Sequence, residues 1–261
     1  MKRNTTPVVI LAFGLLASAI ASVLLAADAD AKMPAVPPVS KFAPADDLVD
    51  QFDYYTKRIE EVLAEKSDFD DAAKSRVKKD ANTLSALALS LGMHDANNRF
   101  NTSAGELLKA SQSLASAANY EAAKAGLEAL KKALSANIAA KDKLKWEQVA
   151  SLEELMKQVP TVNAALKRGL TPLRFKTLQK QSAGQAATLA AIAQAVMADT
   201  TAVKNPSDYE KWYQDCAEMR DAAGSVNAAI HADDQSATAA AMSRLAKSCE
   251  TCHAVFRKES K

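Results

Sequence analysis

The chain has 261 residues, 48% of them hydrophobic and only 5% aromatic, so it is long enough to bury one large core or two small ones and is not a disordered segment. Its 33 Lys and Arg nearly cancel its 31 Asp and Glu, and these charges are spread along the chain, which excludes the basic footprint of a nucleic-acid binder. Alanine and leucine dominate and there are only 7 glycines, a balance that favours helices over sheets and makes all-α the expected class.

At the N-terminus, Lys2 and Arg3 precede an uncharged apolar run over residues 7–27, with Ala27, Ala29 and Ala31 among the small residues where it ends. That layout predicts an export signal over residues 1–31 and places the mature chain in the periplasm. The run is also just long enough to span a bilayer, so left uncleaved it would be a membrane anchor. Residues 32–44 carry Pro34, Pro37, Pro38 and Pro44, which cannot continue a helix and predict an extended linker.

From Ala45 onward apolar residues recur at steps of three and four, the spacing that gathers side chains on one helical face. Leu48, Phe52, Tyr55, Ile59 and Val62 mark one helix, Val77, Leu84, Leu87 and Leu91 a second, Leu107, Leu108 and Leu114 a third, and Leu127, Leu130 and Leu134 a fourth. Breaks near Ser67, over 94–101 and at Ala118 are short enough to join antiparallel neighbours. The second half repeats the plan: Val149 to Leu166, with Met156 on the seam; Leu178 to Val196; Trp212 to Ile230, with Cys216 and Met219; and Met242, Leu245, Cys249, Cys252 and Phe256. The expected fold is thus two antiparallel four-helix bundles in tandem, residues 45–144 and 145–261. TLSALALSL from Thr83 resembles TLAAIAQAV from Thr188, consistent with an internal duplication or with two similar alanine-rich bundles. Aligning the last helices sets Leu134, Asn137 and Ile138 against Cys249, Cys252 and His253, so the first half lacks those three residues.

Cys249, Cys252 and His253 form CxxCH, and positions three and four apart share a helical face. Two thiols so placed reach the two vinyl groups of one porphyrin while the imidazole reaches its iron, which predicts one covalent haem c. A disulfide between the two cysteines would suit a thioredoxin-like βαβ setting, which this pattern lacks, and zinc would need a further ligand that is not visible nearby.

The segment SCETCHAVFRK, residues 248–258, at the end of a four-helix pattern resembles the class II cytochromes c, the cytochrome c′ family. The resemblance covers the chain from Trp146 onward, with the first half as a haem-less copy. It implies a haem held in the fourth helix with His253 as proximal ligand, and a basic residue, Arg257, near the proximal face. It also implies a distal residue from the first helix of that half. Here the chain departs from the family, because a gapless count back from Gly169 lands on Glu153, so a shift or a break at Pro160 is expected. Leu152 and Met156 are the candidates on the apolar seam, and the LMK at residues 155–157 resembles the segment that carries a Met ligand in low-spin members. A Met there also serves as ordinary core filling.

The implied function is one-electron transfer with a redox partner protein, without substrate chemistry by the chain. The alternatives are a five-coordinate site under Leu152 that captures a small gas ligand, nitric oxide or carbon monoxide, and an interaction protein docking a partner through its first bundle. Family members often pair as homodimers through their first two helices. Cys216 is expected as a buried small hydrophobe, Trp212 and Tyr213 as core, and His94 and His231 as solvated loop histidines.

Overall fold

A computed structural model describes residues 32–135 and 143–257; the expected export segment lies outside them, as do Asn137 and Ile138. Among the described residues every long element is helical: α1 Ala45–Val62, α2 Asp71–Gly92, α3 Ala104–Ala115, α4 Tyr120–Ser135, α5 Leu152–Gly169, α6 Gln179–Val196, α7 Tyr209–His231 and α8 Gln235–Phe256. The chain is therefore all-α. No helix among the described residues is long and apolar enough to cross a membrane.

Local chemistry sets where these helices start. Asp70 and Asp234 accept hydrogen bonds from the backbone N–H groups of Ala73 and Ala237, at 2.8 and 2.9 Å, and Ser151 accepts one from Glu154. Each satisfies an amide that the first helical turn leaves without a partner. Pro160 lies inside α5, which continues through it to Gly169, so the break expected at that proline is absent. The ring removes the hydrogen bond that residue 160 would donate to the Met156 carbonyl, and the loosened turn is the one that carries Met156.

The expected linker is in part folded. Val39, Phe42 and Ala43 are buried, with a single 3-10 turn over Val39–Lys41. Gly224 of α7 lets this strap approach: a Cβ there would lie 2.9 Å from the Phe42 Cα. His94 ties it down from the other side, with Nε2 3.0 Å from the Ala43 carbonyl and Nδ1 accepting from the Ala96 amide at 2.9 Å. His94 is thus a buried structural bridge, not a solvated loop residue. His231 closes α7, half-exposed, with Nε2 2.8 Å from the buried carboxylate of Asp47.

Within each half consecutive helices pack as neighbours, and three further contacts cross between the halves: α1 on α6, α2 on α5, and α2 on α6. This reciprocity is what a two-fold axis between similar halves would give. DLVDQ in α1 aligns with ELMKQ in α5, and Asp47, Leu48 and Gln51 are buried in register with Glu154, Leu155 and Gln158. Tyr55 and Ile59 continue the register against Val162 and Leu166, all buried. The two glutamines reach across in equivalent ways: Gln51 accepts from Thr188 Oγ1, and Gln158 donates to Asp80 Oδ1, each at 3.2 Å. Because α2 and α6 are covered from both halves, residues 80–91 and 182–196 are buried all round.

Asp80, fully buried, is the most costly of these groups. Burial pushes its carboxyl up to about 6, against the pull of Arg58, whose Nε lies 3.3 Å from Oδ2 without an aligned hydrogen bond. The same burial, with Asp80 beside it, raises the Tyr55 phenol. A raised carboxyl pKa means that the folded state holds the proton more tightly than the unfolded one. The stability it contributes is complete below the unfolded value near 4 and is lost as pH rises through about 6. Relative to Asp80→Asn, wild type is expected to lose on the order of 2 kcal/mol between about pH 4 and 7, measured by urea unfolding at each pH. A constant difference across that window would refute the assignment.

Candidate functional site

The CxxCH segment lies in the last two turns of α8. A tight turn delivers it: Asp233 takes a left-handed backbone conformation at φ 58°, which aspartate tolerates better than most residues, and Asp234 caps the helix. Cys249 and Cys252 are half-buried, whereas His253 and Arg257 are exposed. The helix end is pinned by Phe256, whose ring meets Trp212 of α7 edge to face at 5.1 Å. Trp212 Nε1 donates to the Met197 carbonyl at 3.3 Å, so its polar end is committed and it is a core residue.

A second apolar cluster, separate from the main core, gathers at this end of the molecule. Its buried members include Leu155, Ile192, Val196, Trp212, Cys216 and Phe256. Packed against it, and only partly buried, are Leu152, Met156 and Val159 from α5 and Cys252 from α8. Both distal candidates and one of the cysteines therefore pack against one apolar cluster, while Glu153, where the gapless count falls, points to solvent. The extended packing of α8 is along α7, and that of α5 is along α6 and α2, so these two helices face each other without an extended interface of their own. They are close enough for the Lys167 charge on α5 to act on the Cys249 thiol.

Burial favours the uncharged forms of the thiols and of the His253 imidazole. Burial raises all three thiols: Cys216 well above the usual range, Cys249 upward, and Cys252 to about 11 with a further push from Asp215. A redox-active or metal-binding CxxC instead lowers its thiol pKa with positive charge or a helix N-terminus. Burial, and then Arg257, lower the His253 imidazole, favouring the neutral ring that can ligate iron. Among the described residues no group of three or more His, Cys, Asp or Glu converges on a common point.

Sequence periodicity passed over Asp215, which is buried beside Cys216 on α7. It sits four residues after Lys211, whose Nζ it binds at 2.6 Å, and that i,i+4 pair was the available signal. Asp215 lines an open cleft of about 180 Å³ between α7 and α8 with Glu218, Arg244, Lys247, Ser248 and Thr251.

The first half differs at the equivalent place. Continuing the DLVDQ/ELMKQ register, Phe52 and Tyr55 of α1 stand where α5 has Val159 and Val162. Both aromatic rings are fully buried, Phe52 against Phe100 at 5.2 Å. Two aromatic rings in the first half thus stand where the second half has two smaller valines. The halves also differ in helix length, since α3 has 12 residues and α7 has 23. Compared with protein-family models, curated proteins and solved structures, the chain matches none, so its function rests on the chemistry of these residues.

Proposed function

We propose that the chain is an exported mono-haem c-type cytochrome, two antiparallel four-helix bundles in tandem, whose second bundle resembles cytochrome c′ and serves one-electron transfer. The observation that carries this reading is the CxxCH of α8 meeting, through Cys252, the apolar cluster against which Leu152, Met156 and Val159 also pack. The residues present fit a haem: paired neutral thiols, an adjacent neutral imidazole and small side chains where the first half has two buried rings. When bound, the haem supplies an iron that passes between ferric and ferrous forms. In this reading Cys249 and Cys252 would tether it, His253 would ligate the iron and Met156 would offer a further ligand, with the Arg257 charge acting on His253. The apolar wall of Trp212, Ile192 and Phe256 excludes water and lowers the local dielectric, both of which tune the potential.

Export to the periplasm rests on the composition of residues 1–31, and a redox partner protein on the electron-transfer reading itself. The helices through which the resembled family pairs correspond to α5 and α6, which here pack on α1 and α2 of the same chain. The pairing made between subunits in that family is therefore proposed to be internal in this one.

Leu152 borders the same space as Met156 and favours the alternative of a five-coordinate, gas-binding site. The absorption spectrum of the reduced, ligand-free protein separates the two readings. Electron transfer predicts a six-coordinate low-spin spectrum that becomes high-spin in Met156→Leu. Gas binding predicts a high-spin wild type that shifts on adding carbon monoxide and is indifferent to that substitution.

A further inference from the structure

Among the described residues lining the cleft beside the CxxCH helix, Asp215 is the one with a buried oxygen that accepts no hydrogen bond. The residue is only 7% exposed, and its Oδ1 is held by Lys211. Its Oδ2 is buried and accepts no hydrogen bond. A buried acceptor without a donor costs free energy, so such groups tend to be kept for a role outside packing. Its neighbours define where it sits. Ser248 and Thr251, the residues immediately before Cys249 and Cys252, line the same cleft, and Cys216, the next residue on α7, belongs to the apolar cluster that Cys252 joins. Of the other charges of the cleft, Arg244 makes a bidentate pair with Glu218 at 2.6 Å for each bond, and the exposed Lys247 reaches Glu250 at 3.6 Å. Asp215, with Lys211 as its partial counterweight, is thus the buried charge that faces the tether.

We propose that Asp215 sets the reduction potential of a haem tethered at Cys252, its buried carboxylate holding the iron toward the ferric form; this rests on the haem reading above. Reduction adds one electron to the site, and a fixed negative charge in a poorly screened interior opposes that addition. Lys211 offsets part of this, and because its side chain is 42% exposed, its share is the more weakly felt.

The test is a potentiometric titration of the haem-loaded full chain as wild type, Asp215→Asn and Lys211→Gln, with covalent haem per chain measured for each. Removing the negative charge is expected to raise the midpoint potential, and removing the positive charge to lower it, at unchanged haem content and unchanged axial ligation in the absorption spectrum. Lys211 is at the surface, so its variant decides the matter even if Asp215→Asn folds poorly. Potentials equal to wild type at full haem content, or shifts of the same sign in both variants, overturn the proposal while leaving the haem reading intact. A wild-type chain without covalent haem overturns both.

Discussion

Replacing both Cys249 and Cys252 by serine is expected to abolish covalent haem entirely in a host that attaches haem c, read as loss of haem stain on a denaturing gel. The two thiols lie three residues apart on one face of α8, half-buried, and are the only cysteines besides the buried Cys216. Both thiols are only half-buried and serine is close to cysteine in size, so the change is expected to cost little stability, on the order of 1 kcal/mol. Circular dichroism of the variant should match that of the unloaded wild type, which separates loss of attachment from loss of folding. Each single variant keeps one tether, and His253→Ala keeps both. These are expected to retain stained haem with altered spectra, whereas the double variant retains none. A double variant that stains like wild type would sink the assignment of these residues as the tether.

The helices were legible because their apolar steps of three and four are one-dimensional images of a buried face, and the breaks between them fell within a few residues of the observed ends. What the pattern could not show was packing that does not depend on period. Thr83 to Leu91 and Thr188 to Val196 read as similar segments, and they are the stretches buried all round because each half covers the other. The prolines of residues 32–44 spoke for an extended spacer, yet Val39, Phe42 and Ala43 bury in a strap, an outcome set by Gly224 and His94 far away in sequence. His94 was misread for the same reason: position in a loop says nothing about a backbone carbonyl 51 residues upstream. Pro160 was expected to break α5, but tertiary packing on both sides carries the helix through it. For the site, the CxxCH spacing is the feature in the sequence on which the proposed tether rests. The choice between Leu152 and Met156 stays beyond the sequence because both residues, four apart, share the same helical face and the same apolar space.

The contrast between the halves yields the other large effect. Phe52 is completely buried, packed on Phe100, and Phe52→Ala is expected to cost about 3 to 5 kcal/mol of unfolding free energy, measured by urea titration. The equivalent residue in α5, Val159, is only partly buried at the edge of both apolar clusters, so Val159→Ala should cost far less in the unloaded chain. The reverse exchange carries the functional consequence. Val159→Phe places in the second half the ring that fills the first, and it is expected to leave the chain folded while sharply lowering the haem attached per chain. Phe52→Val, by contrast, is expected to create no site, because Leu134, Asn137 and Ile138 align in sequence with Cys249, Cys252 and His253. If Val159→Phe takes up haem as wild type does, the difference in side-chain volume is incidental. The halves are then separated by the CxxCH residues alone.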